Sequence, residues 1–123
     1  MESFRNSFNK AYEIGADMIE LDLHMTKDKE IVIIHDDRLD RTTDKTGRIR
    51  DLTLAEIKQA DAGIKKHPKF ASVRVPTFRE FLDLTNAMDG AGCEKKTFNF
   101  EFKDYFREGE DWAKESCDRT IAL

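Results

Sequence analysis

The chain has 123 residues, of which 39% are hydrophobic and 37% charged, and a net charge of −4. That length suits one domain with a real core, and lysines and arginines scattered among the acids form no basic stripe for a nucleic acid. No apolar run approaches a membrane span, and "MESFRNSFNK" has no apolar secretory segment, so a cytosolic setting is expected.

Phe4, Phe8, Ala11 and Tyr12 repeat at helical spacing, and Gly15 is placed to stop that first helix. "MIELDLHM" then alternates: Ile19, Leu21 and Leu23 face one way, Glu20, Asp22 and His24 the other. "EIVIIHD" is a β-branched, aliphatic strand. Too few residues separate these strands for a parallel crossover, so they form a hairpin. Centring its turn on Asp28-Lys29 sets Lys27 opposite Glu30 and Asp22 opposite His35. Lys29 stands where such a turn favours glycine, at a cost of roughly 1 kcal/mol if its φ is positive.

"LTLAEI" is a helix start, with Thr53 and Glu56 as a capping box, Leu52 stapled on Ile57, and Gly63 at the end. "PTFREF" repeats the device with Thr77, Glu80 and Phe81, and "DG" at 89 and 90 ends that helix. "TFNFEFK" alternates again, Phe98, Phe100 and Phe102 against Asn99, Glu101 and Lys103. A final helix starts near Glu110 and still runs at Leu123. Strands interleaved with helices indicate an α/β fold. In a β/α barrel the apolar face of each strand packs on helices and the polar face lines the site.

Glu20, Asp22 and Glu101 make a hard oxygen site suited to Mg²⁺, Ca²⁺ or Mn²⁺. Without a cation, carboxylates this close would raise one another's pKa. His35 is a proton carrier near neutral pH, and Lys103 adds a positive charge. Together these groups suit an anionic oxygen, with phosphate the leading candidate.

The blocks "SFNKAYEIGADMIELDLHMTKDKEIVIIHDDRLDRTTDKTG", "DLTLAEIKQADAG", "VPTFREFLDL" and "FNFEFK" resemble the glycerophosphodiester phosphodiesterases, from about Ser7 to Lys103. The resemblance implies a partial (β/α)8 TIM barrel over residues 1–123. Its parts would be a first helix, a second strand with a hairpin and helix insertion at about 25–75, a second helix, a third strand and a third helix. It implies metal ligands at Glu20, Asp22 and Glu101, a catalytic histidine at His35 and a phosphate-contacting lysine at Lys103. The implied reaction is metal-dependent hydrolysis of a small glycerophosphodiester to glycerol phosphate and an alcohol.

The sequence departs from that family at the first strand, whose His-Arg-Gly should supply a second histidine; no His-Arg pair occurs here. Since a barrel needs about 250 residues, roughly half is expected in this chain. Truncation at both ends is therefore the expectation, and a catalytically inactive fragment that still binds a divalent metal is the alternative to an active phosphodiesterase. A glycosidase using Glu20 and Glu101 as acid and base is weaker, because it has no use for His35 or Lys103.

Other polar residues are given structural roles. His24, near the turn, is expected as a solvated hairpin residue, with a fourth ligand or a substrate contact as the alternative, and His67 as loop surface. Asp36 falls on the hairpin face opposite His35 and is read as structural. Arg41, Thr42 and Thr43 are expected to organise the insertion loop, with a phosphate contact as the alternative for Arg41, and Trp112 to pack in the core. Cys93 and Cys117, without a CxxC or Cys/His cluster, are two reduced thiols.

Overall fold

The computed structural model describes residues 10, 13–14, 18–90, 97–102 and 108–123. The alternating "MIELDLHM" forms strand β1, Met18–Met25, at the centre of a three-stranded sheet ordered β2-β1-β3. Strand β2, Ile31–Ile33, lies antiparallel to β1, and β3, Thr97–Phe102, lies parallel to it. The crossover that a parallel pair needs contains helices α1, Leu54–Lys58, and α2, Phe78–Gly90. Helix α3, Glu110–Ile121, follows β3. The expected first helix, with Phe4, Phe8, Ala11, Tyr12 and Gly15, lies outside the described residues, as do Cys93 and Lys103.

The apolar sides of β1 and β3 face α2. Leu21, Leu23 and Met25 pack with Phe78, Phe81 and Leu84, and Phe98, Phe100 and Phe102 extend the cluster. Phe100 meets Phe78 edge-on at 5.1 Å, and Phe98 meets Phe81 in the same way at 5.1 Å, the geometry that ring quadrupoles favour. Phe81 is 1% exposed, a burial that contributes roughly 1.5–3 kcal/mol. Thr77 starts α2 as expected, its Oγ1 accepting the Glu80 N–H at 3.0 Å. The Glu80 carboxylate accepts from Lys58 Nζ at 2.6 Å, tying α2 to the end of α1.

The stretch between β2 and α2 packs with Val32 of β2 into a second core of Leu39, Ile49, Ile57, Ala60 and Val75. Thr53 caps α1 by accepting the Glu56 N–H at 3.3 Å, and Leu52 joins Ile57 in that core. Helix α1 stops at Lys58, well before Gly63. Asp61 accounts for the early stop: its carboxylate accepts the backbone N–H groups of Gly63 at 3.0 Å, Ile64 at 3.0 Å and Ser72 at 2.5 Å. These bonds offer the backbone an alternative to the helix ladder. They also hold the Asp61 carboxyl below its ordinary range, the Ser72 N–H contributing most.

The hairpin differs from its expected form. Leu23 pairs with Ile33, His24 with Val32 and Met25 with Ile31, and the Ile34 N–H donates to the Asp22 carbonyl at 3.1 Å. Asp22 therefore faces Ile34, one residue short of His35. The loop has three residues, because the Thr26 N–H donates to the Glu30 carbonyl at 2.9 Å. Lys29 takes φ 67°, the left-handed residue that closes a three-residue hairpin loop. Strand β2 also ends at Ile33, so strand alternation does not extend to residues 35 and 36.

Lys29 docks on α3. Its Nζ lies 3.8 Å from the centroid of the Trp112 ring and 3.3 Å from Glu115 Oε2. Arg50 stands 4.5 Å from the same ring, and Trp112 packs against the main core as expected. Just before α3, the Glu108 side chain is 2% exposed and accepts from both Arg48 and Arg50. Burial pushes its carboxyl up, and the two guanidinium groups outweigh that and hold it below its ordinary value. Helix α3 ends at Ile121, earlier than expected, as its last turn tightens: the Leu123 N–H donates to the Thr120 carbonyl, an i to i−3 bond. Cys117 is a free thiol.

Candidate active site

The parallel register of β1 and β3 sets Glu20 opposite Asn99 and Asp22 opposite Glu101. Because side chains alternate along each strand, Glu20, Asp22 and Glu101 all stand on the face turned away from α2. One oxygen from each carboxylate lies within 4.8 Å of the others. Glu20 and Glu101 are exposed and Asp22 is half-buried. Repulsion from Asp22 chiefly, with the further charge of Glu101, raises the Glu20 carboxyl above its ordinary value. Three oxygen donors without sulfur or nitrogen fit a hard divalent cation, which would relieve this repulsion.

His35 follows the end of β2, with its side chain 67% exposed. Its Nδ1 is 2.9 Å from Asp36 Oδ1. Arg41 grips the same carboxylate twice, Nε donating to Oδ2 at 2.7 Å and an Nη to Oδ1 at 2.9 Å. Hydrogen bonds from Arg41 and then His35 hold the Asp36 carboxyl far below its ordinary range. Asp36 therefore acts directly on His35, contrary to the face assignment, because β2 has ended before either residue.

His24 is 2% exposed, so the expected solvated position is also corrected. Its Nε2 lies 3.1 Å from the His35 carbonyl. Two residues beyond Asp22 on the acid-bearing side of β1, it brings the backbone of His35 to that side. Strand alternation placed His24 on this side of β1 but carried no signal for its burial. No local pattern in "HDDRLDR" shows that Arg41 returns to Asp36. His67 is exposed, as expected.

Residues 5–119 match the model described as the Glycerophosphoryl diester phosphodiesterase family. Over 83 residues the chain is 51% identical to a glycerophosphodiester phosphodiesterase of Caldanaerobacter subterraneus subsp. tengcongensis, covering 68% of this chain and 34% of that one. A glycerophosphodiester phosphodiesterase of Bacillus subtilis is 45% identical over 85 residues, covering 63% of this chain and 29% of its own length. The fold is similar to an Oleispira antarctica phosphodiesterase solved with the product sn-glycerol-3-phosphate. That match has a TM-score of 0.71 and 28% identity, and covers 97% of this chain and 45% of the other. The chain thus spans about a third of the length of these curated relatives. Among the described residues, no helix is long and apolar enough to cross a membrane.

Proposed function

This chain belongs to the glycerophosphoryl diester phosphodiesterase family, and we propose that its site serves metal-dependent hydrolysis of glycerophosphodiesters to glycerol 3-phosphate and an alcohol. The observation that carries this reading is the convergence of Glu20, Asp22 and Glu101 within 4.8 Å across a parallel strand pair. In the proposed architecture, β1 and β3 are the second and third strands of a (β/α)8 barrel, and about 25–75 is an insertion. The separate core around Val32, Ile49 and Ile57 supports that division.

The three carboxylates would hold one divalent cation, Mg²⁺ or Ca²⁺ with Mn²⁺ also suited; such an ion supplies charge neutralisation at phosphoryl oxygens. His35 exchanges a proton at Nε2, since Nδ1 is engaged with Asp36. It takes the proton of the attacking hydroxyl, from water or the neighbouring glycerol hydroxyl, or gives one to the departing alcohol as the phosphorus–oxygen bond breaks. Lys103, outside the described residues, is assigned to the phosphate by the family resemblance. A small diester in the cytosol is the proposed substrate.

A second reading is an inactive chain that binds metal. It is favoured by the convergence of the three carboxylates within 4.8 Å while the His35 side chain stands 67% exposed to open water. Calorimetric titration with Mg²⁺, Ca²⁺ or Mn²⁺, beside an assay of glycerol phosphate release, separates the two. We expect saturable cation binding that Glu20→Ala abolishes; unchanged binding in that variant removes the ligand assignment. EDTA-sensitive turnover by this chain would favour the first reading, and binding without turnover the second.

A further inference from the structure

We propose that His24, Asp36 and Arg41 form a positioning shell that fixes His35 in the Nδ1–H tautomer and leaves Nε2 as its single proton-exchanging atom. The role of this shell in catalysis rests on the reading of His35 as the proton carrier; the tautomer itself does not.

An imidazole that is 67% exposed would ordinarily rotate, and water would satisfy either nitrogen. Here the surroundings remove both freedoms. A carboxylate only accepts hydrogen bonds, so the 2.9 Å contact between His35 Nδ1 and Asp36 Oδ1 places the hydrogen on Nδ1. Nε2 then carries the lone pair when the ring is neutral, and the exchangeable proton when it is charged. Asp36 has no freedom to turn away, because the Arg41 fork engages both of its oxygens, at 2.7 and 2.9 Å. Such paired contacts fix direction as well as position. The main chain is held separately. The His35 carbonyl faces His24 Nε2 at 3.1 Å, and a carbonyl also only accepts, so His24 carries its hydrogen on Nε2. His24 is buried, which gives that anchor a rigid base on β1. Two contacts act on His35 itself, at its backbone carbonyl and its ring nitrogen, and the third holds Asp36, the acceptor of that nitrogen. This is how an orienting carboxylate sets the working tautomer of a proton-transferring histidine.

The chain contains its own controls. It has three histidines, and the third, His67, accepts the Lys69 N–H at its Nδ1, 3.1 Å away. The geometry therefore assigns Nε2–H to His24 and His67 and Nδ1–H to His35 alone.

Long-range ¹H–¹⁵N correlation spectra of the labelled chain, at a pH where imidazoles are neutral, read all three tautomers. We expect one Nδ1–H and two Nε2–H patterns, with the Nδ1–H pattern assigned to His35. Asp36→Ala should convert His35 to Nε2–H and leave His67 unchanged, and Arg41→Lys should give a tautomer mixture at His35. A wild-type His35 found as Nε2–H overturns the proposal whether or not a variant folds, and so does an Nδ1–H pattern that survives Asp36→Ala. A pure Nδ1–H His35 in Arg41→Lys removes Arg41 from the shell. Cation binding reports on the carboxylates independently, so the tautomer assignment and the metal-site reading fail separately.

Discussion

Asp22 and Glu101 stand directly opposite each other in the parallel ladder between β1 and β3. Like charges in that relation ordinarily destabilise a sheet, so the pair is a liability to folding unless something positive lies between. Asp22→Asn should raise the thermal midpoint of the metal-free chain, by the equivalent of roughly 0.2–1 kcal/mol. The same change should cancel the rise in midpoint that an added divalent cation gives wild type. Scanning calorimetry with and without Mn²⁺ measures both; an unaltered cation response in Asp22→Asn would contradict the shared site.

The pH dependence has two limbs of opposite sign. Glu20 has a carboxyl raised above its usual 4.5 by Asp22 first, so the folded chain binds that proton more tightly than the unfolded one. Its contribution is complete below the unfolded value and is lost as pH rises through the folded value. Asp36, Asp61 and Glu108 have lowered carboxyls, and their contributions are lost as pH falls through their folded values. Urea midpoints against pH should therefore rise out of acid and then decline above the ordinary glutamate range. Glu20→Gln or a saturating cation should flatten the upper limb alone.

Lys29 combines an unfavourable backbone with favourable side-chain contacts. Its φ of 67° costs a side-chain-bearing residue roughly 1–2 kcal/mol, while a cation over a tryptophan contributes roughly 0.5–1 kcal/mol at a partly exposed site. Lys29→Ala keeps the backbone cost and loses the Trp112 contact, so it should destabilise by roughly 0.5–1 kcal/mol. Lys29→Gly loses the contact and relieves the larger backbone cost, leaving stability between wild type and roughly 1.5 kcal/mol above it. Equal losses in the two variants, measured by urea denaturation, would contradict this account.

The two threonine caps should differ in effect. Thr77 starts the longer helix, is 8% exposed, and its backbone also bridges to Val32. Thr77→Ala should cost about 1–2 kcal/mol, and Thr53→Ala, at the five-residue α1, nearer 0.5 kcal/mol. Chemical denaturation of both variants tests the order.

The sequence made legible those features whose cause is local. Alternation located β1 and the phenylalanine face of β3, and with them the common face of Glu20, Asp22 and Glu101. Threonine caps located the starts of α1 and α2. The misses share a reason: they depend on bonds between residues distant in the chain or on a single dihedral angle. Lys29 entering the left-handed region shifted the hairpin by one residue, and the early end of β2 released residues 35 and 36 from the alternating pattern. Asp61 shortened α1 through Ser72, and the burial of His24 depended on where the His35 carbonyl came to rest. Hydrophobic periodicity does not record any of these.

The Glu108 anchor and the third acid share a timing. Arg48 and Arg50 wait for a partner about sixty positions further on, and Asp22 waits still longer for Glu101. At a synthesis rate of roughly 5–20 residues per second, Glu101 joins the nascent polypeptide about 4–16 s after Asp22. A hairpin that closed before then would have its neighbouring strand unmade and the β1 edge that faces β3 uncovered. Ribosome-associated factors that shield such edges would have their greatest effect in that interval, and codon changes that slow translation between β2 and β3 would lengthen it without altering a single amino acid.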